Sequence, residues 1–186
     1  MKIGFIGGGN MASAMIGGVL KQKIVQTDEI IASTKTEKSR QRLFDAYGIR
    51  TTLDNHEVAQ NSDVLILAVK PKFYEEVIIQ IRDDIREEQI VVSIAPGKTL
   101  KWLEELFEKP VKLVRCMPNT PALVGEGMTG MCANERLTEE EKKEICRILE
   151  GCGKVEQVDE GLMDVVVSVS GSSPAYVFLF IEAMAD

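Results

Sequence analysis

Histidine is nearly missing from this chain: His56 stands alone among 186 residues. Four cysteines are present (Cys116, Cys132, Cys146 and Cys152), and no two of them form a C-x-x-C pair. Zinc sites draw on clustered Cys and His, so the sequence predicts no metal centre. A G-x-S-x-G elbow is also lacking, which argues against serine hydrolysis of that type. Basic charge is in deficit: 22 Lys and Arg face 29 Asp and Glu, for a formal net charge of -7. Nucleic acids and anionic membranes call for basic surface, so neither is expected as a partner. The N-terminus lacks the charged-then-apolar layout of a signal peptide, and reduced thiols in a cytoplasmic setting are the expectation. The longest apolar stretch, 165–185, is interrupted by Ser168, Ser170, Gly171, Ser172, Ser173 and Pro174, and it carries Glu182. It reads as a poor membrane span, because a span takes about 20 mostly apolar residues in one segment. Low-complexity segments and fixed-period repeats are lacking as well.

What is there suits a soluble globular protein: 45% hydrophobic and 27% charged residues, enough to bury a core. Short apolar runs alternate with helical patterns, the mark of an α/β domain with a mostly parallel sheet. Strands are predicted at 2–6, 29–32, 49–52, 63–69, 90–94, 111–117 and 155–158. Helices are predicted at 10–20, 36–47, 71–85 and 100–107. Asp63 to Val69 is almost continuous Val, Leu, Ile and Ala, as in a strand covered on both faces. Thr138 and Glu141 have capping-box spacing, and Ile145, Ile148, Leu149 and Cys152 then mark one buried helix face.

The pattern changes after about residue 160, so the chain divides into a dinucleotide-binding α/β domain at 1–160 and the beginning of a helical domain at 161–186. A helix over 162–170 should stop at Gly171-Ser172-Ser173-Pro174. Ser173 and Pro174 can then start a last helix, 175–185, as cap and first residue. That helix is apolar on nearly every side and should be buried all round. A helical domain beyond Asp186, another subunit, or packing across the α/β core could each provide the cover.

The first strand runs into Gly7-Gly8-Gly9-Asn10-Met11-Ala12, the G-x-G-x-x-A form of the dinucleotide fingerprint. Gly7 permits the tight turn, Gly9 lets backbone approach a pyrophosphate, and Ala12 allows the helix to pack closely on the sheet. Phosphates would meet the N–H groups of the helix opening at Asn10. The strand-turn-helix context gives this short motif its weight. NAD-binding domains commonly end the second strand with a carboxylate for the ribose 2′-OH. Here Ser33-Thr34-Lys35 stands in that place. Two hydroxyls, with Lys35 or Arg40, suit a 2′-phosphate, so NADPH is expected, with NADH possible. Lys35 and Arg40 also read as ordinary surface residues.

Five segments carry a family resemblance. They are Phe5 to Ala12, Ala68-Val69-Lys70-Pro71, Val91 to Ala95, Arg115-Cys116-Met117-Pro118-Asn119-Thr120-Pro121, and Ser170 to Tyr176. With these the sequence resembles pyrroline-5-carboxylate reductase. The resemblance implies NAD(P)H-dependent reduction of the cyclic imine L-1-pyrroline-5-carboxylate to L-proline. It also implies a Rossmann domain followed by a helical domain that dimerises, with larger homo-oligomers built from the dimers. Carried over by position, Gly7 to Ala12 line the pyrophosphate, and Ser33 and Thr34 lie by the ribose phosphate. Asn55 is similar to an Asn near the adenosine end. Ala68, Val69, Lys70 and Pro71 form the loop after the fourth strand, and Ala95 lies beside the nicotinamide ribose. Asn119 and Thr120 are placed to reach the carboxamide or the substrate. Each position also has an architectural reading: Asn55 as a helix cap, Lys70 as a surface lysine, Pro71 as a helix start, and Asn119-Thr120-Pro121 as a turn. The family runs past this length. Its glycine- and threonine-rich turn, with a proton-donating Thr, would lie beyond Asp186, so no catalytic residue is assigned here.

The chemistry asks little of acid–base residues. A protonated imine accepts hydride readily, and positioning is the main requirement. Two other classes stay open: a Rossmann reductase of the β-hydroxyacid dehydrogenase type, and a non-catalytic NADPH-binding module. Cys116 reads as a buried strand residue rather than a redox sensor.

Overall fold

The computed structural model describes residues 1–185. Eight strands form one sheet: β1 Ile3–Ile6, β2 Ile30–Ser33, β3 Arg50–Thr52, β4 Val64–Leu67, β5 Ile90–Ser93, β6 Lys112–Met117, β7 Gly127–Ala133 and β8 Gly153–Gln157. Their spatial order is β3-β2-β1-β4-β5-β6-β7-β8. Every neighbouring pair is parallel except β6 with β7. The helices are α1 Asn10–Lys21, α2 Glu37–Tyr47, α3 Asn55–Gln60, α4 Tyr74–Ile81, α5 Leu100–Phe107, α6 Glu139–Glu150, α7 Met163–Val166 and α8 Ser173–Ala185. This is the expected Rossmann-type α/β fold followed by a helical arm.

Strand period sorts the core into two layers. In β4, Val64 and Ile66 face one layer with Met15, Ile16 and Val19 of α1 and Ile148 and Leu149 of α6. Leu65 and Leu67 face the other, with Tyr74 and Ile78 of α4 and Leu103 and Phe107 of α5. Both faces are covered, which is why the strand reads as an unbroken apolar run. The capping box of α6 forms as its spacing predicts: the Thr138 hydroxyl accepts from the Glu141 N–H, and the Glu141 carboxylate accepts from the Thr138 N–H.

Four local expectations need correction. The strand β7 has no counterpart in the sequence reading. Its two glycines, Gly127 and Gly130, give it poor intrinsic strand character, and pairing along β6 makes it a strand. The predicted helix 71–85 is three pieces: 3-10 turns at Pro71–Phe73 and Arg82–Asp84 flank α4. Asn55 does not cap α3; the Asp54 carboxylate accepts from the His56 N–H and does so instead.

The largest correction concerns 171–174, where no break occurs. A π turn, Val167–Gly171, connects α7 to α8, so Glu160–Ala185 runs as one helical arm. The Ser172 N–H donates five residues back to the Val167 carbonyl at 3.0 Å. Serine hydroxyls fold onto the arm's own backbone, Ser168 to Val165 and Ser172 to Val167. Pro174 has no N–H for the Ser170 carbonyl, and the wider turn absorbs that gap. By length and composition alone this helix is long and apolar enough to cross a membrane; the interruption at 171–174 on which the opposite expectation rested is not there. Packing across the α/β core is also ruled out for α8. Tyr176, Val177, Phe178, Leu179, Phe180, Ile181 and Met184 are each more than half exposed.

At its base the arm is held by charge. Arg115 of β6 is 3% exposed and reaches Glu160 at 3.2 Å and Asp164 at 3.4 Å. The same Glu160 oxygen accepts the Leu100 N–H at 2.7 Å, satisfying a free donor in the first turn of α5.

Candidate cofactor-binding site

The order of strands leaves a crevice where β1 and β4 lie side by side. One chain direction leaves toward β2 and the other toward β5. Ligands of open α/β sheets bind at such a point, beyond the carboxyl ends of the strands. A groove of about 540 Å³ lies here, walled by Gly7 to Asn10, Ser33 to Lys35, Asn55 and Ala68 to Lys70. It adjoins a second compartment of about 300 Å³ walled by Gly9 to Met11, Ala68 to Pro71, Ile94 to Pro96, Met117 and Pro118.

The glycine turn fits a pyrophosphate. Gly7 sits at φ +106°, and a side chain there would strike the Ala68 carbonyl. Its N–H is tied to the Ser33 carbonyl at 3.1 Å, which anchors the start of the β1–α1 turn to the end of β2. A Cβ on Gly9 would meet nothing within 4 Å. Backbone at Gly9 therefore faces open groove, at the N-terminus of α1, as an anion requires. Ala12 is fully buried against the sheet and serves by its small size, not by touching the groove.

At the far end of the first compartment the side chains form a fixed array. The Ser33 hydroxyl donates to the Asn55 Oδ1 at 2.6 Å, and the Asn55 amide donates to Gln80 Oε1 at 2.9 Å. Ser33 is 0% exposed, so this hydroxyl is committed to Asn55. The Thr34 hydroxyl donates to the Thr36 carbonyl. Positive charge comes from Lys35 and Arg42. The Lys35 ammonium lies 5.1 Å from the Phe73 ring centre, and Arg42 donates to the Gly8 carbonyl at 2.7 Å. Arg40, offered as a second cation, is paired with Glu37 instead. The sequence reading missed Arg42. Ser39 and Arg42 of α2 line the groove together with Lys35, which precedes the helix, and the i, i+3 spacing of Ser39 and Arg42 on one helix face was the available signal. It also missed the opposite wall of Leu53, Phe73, Glu76 and Gln80.

Comparison with known proteins bears on what this crevice serves. Residues 2–97 match the family model described as "NADP oxidoreductase coenzyme F420-dependent". Residues 160–186 match "Pyrroline-5-carboxylate reductase dimerisation". The pyrroline-5-carboxylate reductase of Escherichia coli (strain K12) is 42% identical over 185 residues, covering 100% of this chain and 69% of that protein. The chain belongs to the pyrroline-5-carboxylate reductase family. The solved structure of a pyrroline-5-carboxylate reductase from Coxiella burnetii is similar with a TM-score of 0.93 and 35% identity, over 98% of this chain and 68% of that one. That of Plasmodium falciparum pyrroline carboxylate reductase with NADP bound has a TM-score of 0.87 and 32% identity, over 98% and 67%.

Of the two residues assigned to substrate or nicotinamide, Asn119 is tied elsewhere by its side chain. Asn119 follows β6. Its Oδ1 accepts the Met128 N–H at 2.9 Å and its amide donates to the Ser170 hydroxyl at 3.2 Å. It thus joins β6, β7 and the π turn of the arm. Thr120 is exposed and opens a 3-10 turn, Thr120–Val124. The crevice at this end is apolar, with Met117, Pro118, Ile94 and Pro96 as walls.

The cysteines take no part. Burial pushes the Cys116 thiol up, and pushes those of Cys132 and Cys152 up to about 11. Thiolate, the reactive form, is then scarce at neutral pH. Among the described residues no cluster of three or more His, Cys, Asp or Glu could hold a metal ion.

Proposed function

We propose that this chain carries the cofactor half of a reductase that converts L-1-pyrroline-5-carboxylate to L-proline. The observation that carries the reading is the crevice at the β1–β4 switch. It has an open Gly9 backbone, a cationic far end and an apolar near end, in a chain of this family. When bound, NADPH supplies the hydride. The chain's own residues hold and orient. Gly7 to Met11 seat the pyrophosphate on the N-terminus of α1. Ala68 to Pro71 and Ala95 flank the nicotinamide ribose. Met117, Pro118 and Ile94 keep water from the reacting face, and positioning of this kind supplies much of the rate.

NADPH is preferred over NADH in this reading. Its support is the lack of a carboxylate at the end of β2 and the presence of Lys35 and Arg42 on the groove. Ser33, Thr34 and Asn55 shape the adenosine end, while Asn119 acts through its hold on Ser170 of the arm and Thr120, exposed at the start of its 3-10 turn, is left to meet substrate. The Rossmann part spans 1–160 and the helical part begins at 161. The exposed apolar surface of α8 and the dimerisation match over 160–186 support self-association through the arm. Reduced, buried thiols and an acidic surface fit a cytoplasmic enzyme.

The test is NADPH oxidation by the product of the complete reading frame, with pyrroline-5-carboxylate as substrate and NADH in parallel. Proline formation with NADPH favoured supports the reading. NADPH binding without turnover of the imine would remove the substrate assignment and leave a β-hydroxyacid reductase or a binding module.

A further inference from the structure

Tyr74 is fully buried, yet its hydroxyl lies among polar backbone rather than hydrocarbon. It is the first residue of α4, just after the Ala68–Pro71 loop. The phenol donates to the Leu67 carbonyl and accepts from the Ile94 N–H at 3.2 Å and the Ser93 hydroxyl at 3.4 Å. The Ser93 hydroxyl oxygen also accepts the Ala95 N–H at 3.4 Å. Leu67 and Ser93 are the last paired residues of β4 and β5. Past them the two strands part to form the two loops of the second compartment. Parting strands leave backbone groups without ladder partners, and buried backbone groups must be paired. One phenol, assisted by Ser93, meets that need on both strands at once.

A buried tyrosine with a satisfied hydroxyl is common in cores, and that plain reading accounts for stability alone. Its place in the fold adds more. Both backbones it joins run straight into Ala68–Pro71 and Ile94–Pro96, which face each other across the crevice. The separation of these loops sets the width of the seat for the nicotinamide end. We infer that Tyr74 is a positioning residue, whose hydroxyl fixes the spacing of these two loops and with it the nicotinamide seat. The inference rests on the dinucleotide reading of the crevice. Tyr74 is closed off from the groove and touches neither cofactor nor substrate. Burial also raises the phenol above its ordinary range, so it remains a donor at every working pH.

The test compares NADPH with 2′,5′-ADP, which occupies only the adenosine end. Both dissociation constants are measured on Tyr74→Phe and Ser93→Ala, in the protein from the complete reading frame, with urea unfolding alongside. Tyr74→Phe should weaken NADPH about tenfold, by misplacement of one end, and leave 2′,5′-ADP unchanged. Ser93→Ala should weaken NADPH about two- to threefold, in the same pattern. Equal loss for both ligands, or lower stability with both affinities unchanged, overturns the inference. Should Tyr74→Phe fail to fold, Ser93→Ala decides by the same comparison. Failure of the unmutated protein to bind either ligand would instead sink the dinucleotide reading, and this inference with it.

Discussion

Replacing Glu160 with Ala should destabilise the protein more than removing either of its ionic neighbours. The Arg115 guanidinium is 3% exposed and, among the described residues, would keep only Asp164, at 3.4 Å and itself 90% exposed. The Leu100 N–H would lose its only side-chain acceptor among the described residues. Breaking a fully buried pair on one side costs about 3–5 kcal/mol. Glu160 is 34% exposed, so solvent enters and the figure drops to about 2 kcal/mol. That corresponds to roughly 4–8 °C in Tm for a chain of this size. Arg115→Met removes the buried charge and leaves Glu160 on the Leu100 N–H, for a smaller loss of about 1 kcal/mol. Asp164→Ala should cost less than about 0.5 kcal/mol. The assay is urea unfolding of the three variants, with midpoints compared at constant slope. The reasoning fails if Arg115→Met is the most damaging, or if Asp164→Ala matches Glu160→Ala.

Ser33→Asp should shift the ratio of NADPH to NADH affinity toward NADH by about tenfold or more, since a carboxylate at the end of β2 repels a 2′-phosphate and accepts from a 2′-OH. Fluorescence titration reads it, and an unchanged ratio would sink NADPH preference. Arg42→Ala should weaken NADPH about tenfold and NADH much less; equal losses would show that Arg42 acts only through the Gly8 carbonyl. The His56 side chain is hydrogen-bonded to Asp84 at 2.6 Å, which raises the His56 pKa above 6.5. Its stabilisation is therefore full below about pH 6.5 and fades as pH rises through the raised value. The ring is 45% exposed, so His56→Ala should cost only about 0.3 kcal/mol more at pH 5.5 than at pH 9. Thermal melts at the two pH values check the sign.

Much of this architecture was legible because the signals were local. The buried run of β4, the glycine turn after β1 and the Thr138 capping box each carry their cause within a few residues. The errors fall where the cause is distant. β7 is a strand because β6 offers an edge, and nothing in Gly127 to Ala133 announces it. The arm continues past Gly171-Ser172-Ser173-Pro174 because a π turn accommodates the missing donor of Pro174 and Asn119 steadies Ser170 from another element. Ser33 is legible from its place at the end of β2 and Asn55 from the family resemblance, but their mutual hydrogen bond is a tertiary fact. Arg42 was passed over for Arg40 because two residues on a helix point to different sides, and only one side faced the groove.

The adjacency of β1 and β4 also has a bearing on how the chain folds. Ile3 pairs with Ile30 on one side and with Val64 on the other, partners 27 and 61 positions along. Closing the longer segment costs about 0.7 kcal/mol more in chain entropy. This seam is thus the sheet's most nonlocal pairing, and parallel pairings of this kind form slowly. Until it closes, the apolar edges of both strands stay open to other chains. The seam that creates the binding crevice is also the step at which an unfinished molecule is most prone to aggregate.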